Sequence, residues 1–339
     1  MKILLTGAAG FIGMHVALRL LARGDEVVGI DNLNDYYDPA LKLARLARLR
    51  AHPGFRFEQL SIEDGVTLSA VFHRAAPQRV VHLAAQVGVR HSVVAPQSSA
   101  GSNLQGFVNV LEGCRALQVE HLVYASSSSV YGANAQLPYV EEQGVDHPLS
   151  LYGATKRANE LMAHAYSHLF GIPTTGVRLF TVYGPWGRPD MAMFRFTRAI
   201  LEGQPLDLYN EGHMVRDFTY VDDVAEPLVR LVDKPATPDA AFDAVRPDPA
   251  RSDAPFRVFN VGGGHPVQLL ELIAALEETL GRQAQRRLLP LQAGDVLATG
   301  ADTRRLQEWI GPCPATPLRV GLRRFADWYL SQHGEAERR

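Results

Sequence analysis

The stretch Lys2-Ile3-Leu4-Leu5-Thr6-Gly7-Ala8-Ala9-Gly10-Phe11-Ile12-Gly13 decides the fold. Ile3 to Thr6 reads as a buried strand, and Phe11 to Arg23 carries the periodicity of a helix. Gly7, Gly10 and Gly13 join the two in a G-x-x-G-x-x-G spacing. Glycine is needed where the chain turns with positive φ and where a backbone must approach a pyrophosphate closely. The helix that follows presents unpaired N–H groups and a positive dipole end to such phosphates. Three glycines in a turn can be purely structural, so the context matters. Glu26 to Asp31 reads as a second strand, and Asp31 ends it. A carboxylate there accepts hydrogen bonds from adenosine ribose hydroxyls and repels a 2′-phosphate, which favours NAD over NADP.

Outward from this loop, further strands are expected at Phe55 to Leu60, Val80 to Leu83, His121 to Ala125 and Thr174 to Leu179, with helices between them. Alternation of this kind predicts an α/β fold, a doubly wound parallel-sheet Rossmann domain with ligands at the carboxyl ends of its strands. After Thr181 the pattern loosens: Pro185, Pro189 and Pro205 break the chain, and Val215 to Val221 reads as another strand. Lys234 to Pro255 has neither helical nor strand periodicity and reads as an exposed excursion, because an apolar strand resumes at Val258 to Val261. Val267 to Leu280 and Pro317 to Leu330 are amphipathic helices. The expected division is an NAD-binding domain of 1–180 plus about 215–262, and a smaller C-terminal α/β substrate-binding domain of 181–214 plus about 263–339.

The 339 residues, with 46% hydrophobic and 21% charged content, exclude global disorder. A net charge of -2 leaves no electrostatic footprint for nucleic acid or an anionic membrane, so bound phosphate needs a local site. No apolar run reaches the roughly 18–20 residues of a membrane span, and the first residues enter a strand at once, so a cytoplasmic protein without a leader is expected. Cys114 and Cys313 lie far apart and fit a reducing compartment, and no metal-ligand spacing occurs.

Tyr152-Gly153-Ala154-Thr155-Lys156 opens a helical stretch running to about Phe170. Residues four apart share a helix face, so phenol and ammonium can enter one site, and the cation is expected to lower the tyrosine pKa. That suits Tyr152 to general acid/base work. Alone, the pair reads as a solvated helical couple. Here Ser126-Ser127-Ser128-Ser129 follows the strand ending at Ala125, and Ser127 can hydrogen-bond the oxygen that Tyr152 deprotonates.

With these motifs the chain resembles the extended short-chain dehydrogenase/reductase family, the nucleotide-sugar epimerases and dehydratases. More narrowly it is similar to the UDP-glucuronate 4-epimerases. The likeness rests on Thr6 to Gly13, the Asp31-Asn32-Leu33-Asn34-Asp35-Tyr36-Tyr37 segment, His82-Leu83-Ala84-Ala85-Gln86, Ser126 to Gly132, and Arg178 through Pro185-Trp186-Gly187-Arg188 to Pro189. The resemblance implies Ser127, Tyr152 and Lys156 as catalytic. It places Gly7, Gly10, Phe11, Ile12, Gly13, Asp31, Asn32, Ser61, Ile62, Leu83, Ala84, Ala85 and Asn103 around NAD, with Tyr152 and Lys156. For a UDP-sugar it implies Ser128, Ser129 and Thr181 near a substrate carboxylate, Arg188 and Arg216 at the diphosphate, and Asp295 near the ribose or uracil. Thr181 stands where the UDP-galactose type carries asparagine. Ser61 stands where the family usually has an aspartate that contacts adenine.

The reaction so implied is NAD-dependent C4 epimerisation of UDP-glucuronate through a 4-keto sugar. The alternatives are a UDP-glucose or UDP-galactose 4-epimerase and a UDP-glucuronate decarboxylase. A 4,6-dehydratase ranks low, since serines stand where its acid/base pair would be, and a non-catalytic NAD-binding module fits the intact serine, tyrosine and lysine poorly. The resemblance also implies a homodimer through the helices around Phe107 to Leu117 and Leu161 to Leu169.

Overall fold

The computed structural model describes residues 1–292 and 294–333. Its strands are β1 (Lys2–Thr6), β2 (Glu26–Asp31), β3 (Phe55–Gln59), β4 (Arg79–His82), β5 (His121–Ser127), β6 (Thr174–Leu179), β7 (Thr181–Tyr183), β8 (Leu206–Tyr209), β9 (Val215–Tyr220), β10 (Phe256–Val261), β11 (Pro266–Gln268) and β12 (Arg286–Leu289). Seven of them form a parallel sheet in the order β10-β6-β5-β4-β1-β2-β3. The strand order reverses between β1 and β4, and this switch point opens the crevice in which doubly wound sheets bind ligands.

Central strands are apolar along their length because both faces are covered. Every residue of β5 is buried, and its one histidine, His121, is paired at 2.8 Å with the Thr175 hydroxyl of β6. One face packs on helices Phe11–Ala22 and Val221–Asp233, continued by Leu269–Leu280 and Leu318–His333. The other face packs on helices Gly65–Ala75, Gly106–Leu117 and Leu151–Phe170.

β7, β9 and β11 make a separate three-stranded sheet, and β8 pairs with β12. The strand expected at Val215 to Val221 thus forms as β9, but outside the central sheet, whereas β10 joins that sheet beside β6. The helix expected from Val267 begins at Leu269, because Pro266–Gln268 pairs antiparallel with β9. Residues 234–255 contain neither helix nor strand. They are tied down by polar contacts: Asp248 accepts from Arg251 and Arg305 at 2.8 Å each, and Ser252 pairs with His164 at 2.9 Å.

Candidate active site

The carboxyl ends of β1, β2, β4, β5 and β6, with the loops that follow them, converge on a cavity of about 800 Å³. Its floor is the glycine loop. Gly7 has φ +73°, and its N–H donates to the Ile30 carbonyl at 2.7 Å, binding the turn to β2. A Cβ at Gly13 would stand 2.0 Å from the Gly7 carbonyl oxygen, so only glycine lets the helix start this close to the turn. Gly10 caps that helix without any side-chain hydrogen bond, and no acidic residue occupies the first turn. The leading amides of Phe11, Ile12 and Gly13 are left for an anion.

Asp31 closes β2 beside this loop. Its carboxylate accepts from the Ala9 N–H at 3.2 Å and the Leu33 N–H at 2.9 Å, which leaves acceptor capacity facing the cavity. Lys42, from the helix Pro39–Arg50, lies 3.8 Å from Asp31 and donates to Asn34 at 2.5 Å. Ile62, Leu83, Ala84, Ala85 and Asn32 line the same end. Free amides at a helix start, an acceptor carboxylate and apolar walls are the surroundings that an adenine dinucleotide requires. Ser61 and Asn103 are not on the cavity wall. The Ser61 hydroxyl turns to the Glu63 N–H. Asn103 is buried, and its amide bridges both main-chain groups of Gln86 to Thr155, bracing the loop after β4 against the tyrosine-bearing helix.

That helix, Leu151–Phe170, is started by Ser150, whose hydroxyl accepts from the Gly153 N–H at 3.0 Å, and is ended by Gly171. The cap puts Tyr152 in the first turn and Lys156 one turn on, both facing the end of β5. Ser127 hydrogen-bonds Tyr152, and its Oγ also accepts from the Ser129 N–H at 3.1 Å. Lys156 is buried, and its Nζ donates to the Ala125 carbonyl at 2.9 Å. Burial brings the ammonium down to about 8. Tyr152 is not lowered as the spacing suggests. Burial raises it, and the opposing influences are the charge of Arg188 and the Ser127 hydrogen bond.

Behind Ser127 lies a buried ion pair. Glu160 accepts from Arg178 Nε at 2.9 Å and again from its terminal nitrogen at 2.9 Å, and it also takes the Ser126 hydroxyl at 2.6 Å. These contacts join the tyrosine-bearing helix, β5 and β6.

At the far end, Ser128, Ser129 and Thr181 line the wall next to Tyr152, with Arg188, Arg216 and Asp295 beyond. Arg188 is held in a two-point pair with Asp190, at 3.0 and 2.7 Å. Arg216 donates to the Val215 and Leu297 carbonyls, and Asp295 pairs with Arg90 at 3.3 Å. Sequence reasoning missed Lys42, Arg90 and Asp190 at this cavity. Asp190 directly follows the quoted segment ending at Pro189, and that adjacency was the available signal; Arg90 lies four residues past Gln86 and had none.

The fold and the cavity define a dinucleotide-binding α/β enzyme with a serine, a tyrosine and a lysine gathered at one strand end. The model of the NAD dependent epimerase/dehydratase family matches residues 3–245, and the chain belongs to that family. A probable UDP-glucuronate 4-epimerase of Rhizobium meliloti is 46% identical over 340 residues, covering 99% of both chains. The crystal structure of a UDP-glucuronic acid 4-epimerase from Bacillus cereus, in complex with UDP-glucuronic acid and NAD, superposes with a TM-score of 0.87 at 32% identity, covering 98% of this chain and 100% of that one. A UDP-glucose 4-epimerase from Thermotoga maritima, with UDP-glucose, gives 0.85 at 29% identity, covering 98% and 99%.

Among the described residues no helix is long and apolar enough to cross a membrane, and no group of three or more His, Cys, Asp or Glu is placed to hold a metal ion.

Proposed function

We propose that this protein is an NAD-dependent nucleotide-sugar 4-epimerase that converts UDP-glucuronate to UDP-galacturonate. The observation that carries the reading is the single cavity in which an open helix N-terminus, the Ser127–Tyr152–Lys156 group and the hydroxyls of Ser128, Ser129 and Thr181 meet. The relative from Rhizobium meliloti and the Bacillus cereus complex support the same substrate and cofactor.

NAD, when bound, supplies the acceptor for the C4 hydride and returns it. The amides of Phe11, Ile12 and Gly13 would hold its pyrophosphate, and Asp31 with Lys42 its adenosine ribose. Tyr152 removes the proton of the sugar C4 hydroxyl while Ser127 holds that oxygen, and the same tyrosine gives the proton back after the 4-keto sugar has turned over. Lys156 spends one N–H on Ala125 and keeps two for ligand. Arg188 and Arg216 grip the diphosphate, so binding energy remote from C4 holds the substrate while the sugar turns.

A 4-keto glucuronate is a β-keto acid and loses carbon dioxide when its carboxylate bond aligns with the carbonyl π orbital. Ser128, Ser129 and Thr181 restrain the carboxylate against that alignment. Thr181→Ala is therefore expected to form more UDP-pentose than the unaltered enzyme, and an unchanged pentose fraction would remove Thr181 from this role. Thr181, in place of the asparagine of the UDP-galactose type, also favours a charged sugar over UDP-glucose.

The division into an NAD-binding part (1–180 plus about 215–262) and a substrate part (181–214 plus about 263–339) belongs to the same proposal. So do a cytoplasmic location and a homodimer, for which the exposed Leu161 and Leu169 on helix Leu151–Phe170 offer an apolar contact. A monomeric mass in solution would defeat the dimer. The test of function is anion-exchange and mass analysis of UDP-glucuronate incubated with purified protein. A product of equal mass eluting as UDP-galacturonate is expected. A pentose product would establish the decarboxylase instead, and conversion of UDP-glucose alone would establish the neutral-sugar epimerase.

A further inference from the structure

The Tyr36-Tyr37 pair plays no part in the mechanism above, yet both phenols are engaged at the mouth of the cavity. Tyr37 accepts a hydrogen bond from Arg45 at 2.6 Å. Arg45 is fully buried, and no carboxylate among the described residues pairs with it. All five of its N–H donors are used: Nε and one terminal N–H reach the Trp186 carbonyl at 3.1 and 2.6 Å, and another reaches that of Gly187 at 3.3 Å. The other two take the Ala9 carbonyl of the glycine loop at 3.2 Å and the Tyr37 phenol. A buried guanidinium is costly to desolvate and is retained only when its hydrogen bonds are complete.

Trp186 and Gly187 lead directly into Arg188. Trp186 has φ +65°, a conformation that a bulky residue adopts only when its surroundings impose it. The Arg45 clamp on its carbonyl and the Arg48 guanidinium, 5.3 Å over its ring, supply that imposition. On the other side of the loop, Tyr36 donates to Asp190 at 3.4 Å, and Asp190 is the carboxylate that grips Arg188. Tyr36 therefore holds the Arg188 loop through Asp190, Tyr37 supports it only through Arg45, and Arg45 ties it to the glycine loop at Ala9.

We propose that Arg45, supported by Tyr36 and Tyr37, is a positioning residue that sets where Arg188 meets the diphosphate of the substrate. The inference rests on the proposed role of Arg188 in nucleotide-sugar binding. A lysine cannot replace the clamp, because one ammonium with three donors does not reproduce a planar fork with five.

The test compares the full-length protein with Arg45→Lys, Tyr36→Phe, Arg188→Ala and the double variant Arg45→Lys/Arg188→Ala. It measures kcat and KM for UDP-glucuronate, Kd for UDP by calorimetry, and Tm. Arg45→Lys should raise both KM and the UDP Kd about tenfold while kcat stays within about threefold, the pattern of lost uniform binding. Tyr36→Phe, which loses one long hydrogen bond and keeps its ring contacts, should raise the UDP Kd roughly two- to threefold. In the Arg188→Ala background, Arg45→Lys should change the UDP Kd less than about twofold, because residues acting through one group are not additive. A lowered Tm with unchanged KM and UDP Kd would overturn the proposal, as would the same tenfold factor persisting without Arg188. Unaltered protein that binds UDP but converts no UDP-glucuronate would sink the substrate reading instead, and the UDP measurements would still judge Arg45.

Discussion

Replacing Glu160 by leucine tests whether the ion pair behind Ser127 holds the tyrosine-bearing helix to the sheet. Glu160 and Arg178 are both fully buried and share two contacts of 2.9 Å. Removing one member of a buried pair costs about 3–5 kcal/mol, because the other charge is stranded. Glu160→Leu belongs at the upper end, near about 5 kcal/mol, since Arg178 would lose its ion-pair partner and keep the phenol of Tyr131, with the ring 4.9 Å away, and the weaker field of Glu141. Arg178→Met belongs at the lower end, near about 3 kcal/mol, because Glu160 keeps Arg157 at 3.1 Å and the Ser126 hydroxyl at 2.6 Å. The double variant Glu160→Leu/Arg178→Met strands neither of the two and should be more stable than Glu160→Leu by about 2 kcal/mol or more.

The dependence on pH has a definite sign. Burial pushes the Glu160 carboxyl up, but Arg178, Ser126 and Arg157 outweigh it, and the group ends below its ordinary value. A depressed carboxylate contributes stability that is present above its unfolded value of roughly 4.3 and is lost as pH falls through the folded one. Urea denaturation followed by tryptophan fluorescence, at neutral pH and through the acid range, gives both quantities. A cost below about 1 kcal/mol for Glu160→Leu, or a double variant no more stable than that single one, would refute the reasoning.

Tyr152→Phe should cut kcat by about 10²–10⁴-fold while the fold is kept, and near-normal turnover would show that another group moves the C4 proton. With the Lys156 ammonium brought down to about 8, kcat/KM should fall as pH rises through that value, and a profile flat from pH 7 to 10 would contradict a role for the charged form. Gly13→Ala drives a Cβ to 2.0 Å from the Gly7 carbonyl, so the protein should purify without bound NAD and lose about 1–3 kcal/mol of stability. Dinucleotide release on denaturation and Tm check the two together.

Much of the central sheet is legible from apolar runs between turn residues. β2 and β6 have the bounds that the sequence reading expects, because both faces of those strands are covered and their pattern is unambiguous. Periodicity says where a strand lies but not which strand it joins, and so β9 reads correctly as a strand while its place in the outer sheet does not. In the candidate site, the glycines, Asp31 and the tyrosine-lysine pair stand out in the sequence by their spacing, and the structure brings them to one cavity. Lys42 is not, since a lysine in the helix Pro39–Arg50 reads as part of a solvated face until that helix is packed over Asp31. Motif position also gives a neighbourhood rather than a side-chain direction. Ser61 and Asn103 each adjoin a residue that lines the cavity, Ile62 and Ser102, while their own side chains hydrogen-bond the Glu63 N–H and the Thr155 hydroxyl. The state of Tyr152 required the surroundings as well: Lys156 shares its helix face but spends a proton on Ala125, and burial decides the phenol.

The order of strands has a consequence for synthesis on the ribosome. β6 ends at Leu179 and pairs with β5 on one side, but its other edge is completed by β10, which ends at Val261. Some eighty residues separate the two, so at ~5–20 residues per second the edge of a half-built sheet stays open for about 4–16 s. An open strand edge with an apolar face is a template for another chain. Nascent polypeptides ending between residues 180 and 255 should therefore engage holdase chaperones more than those that have emerged beyond Val261, whose last sheet strand closes that edge.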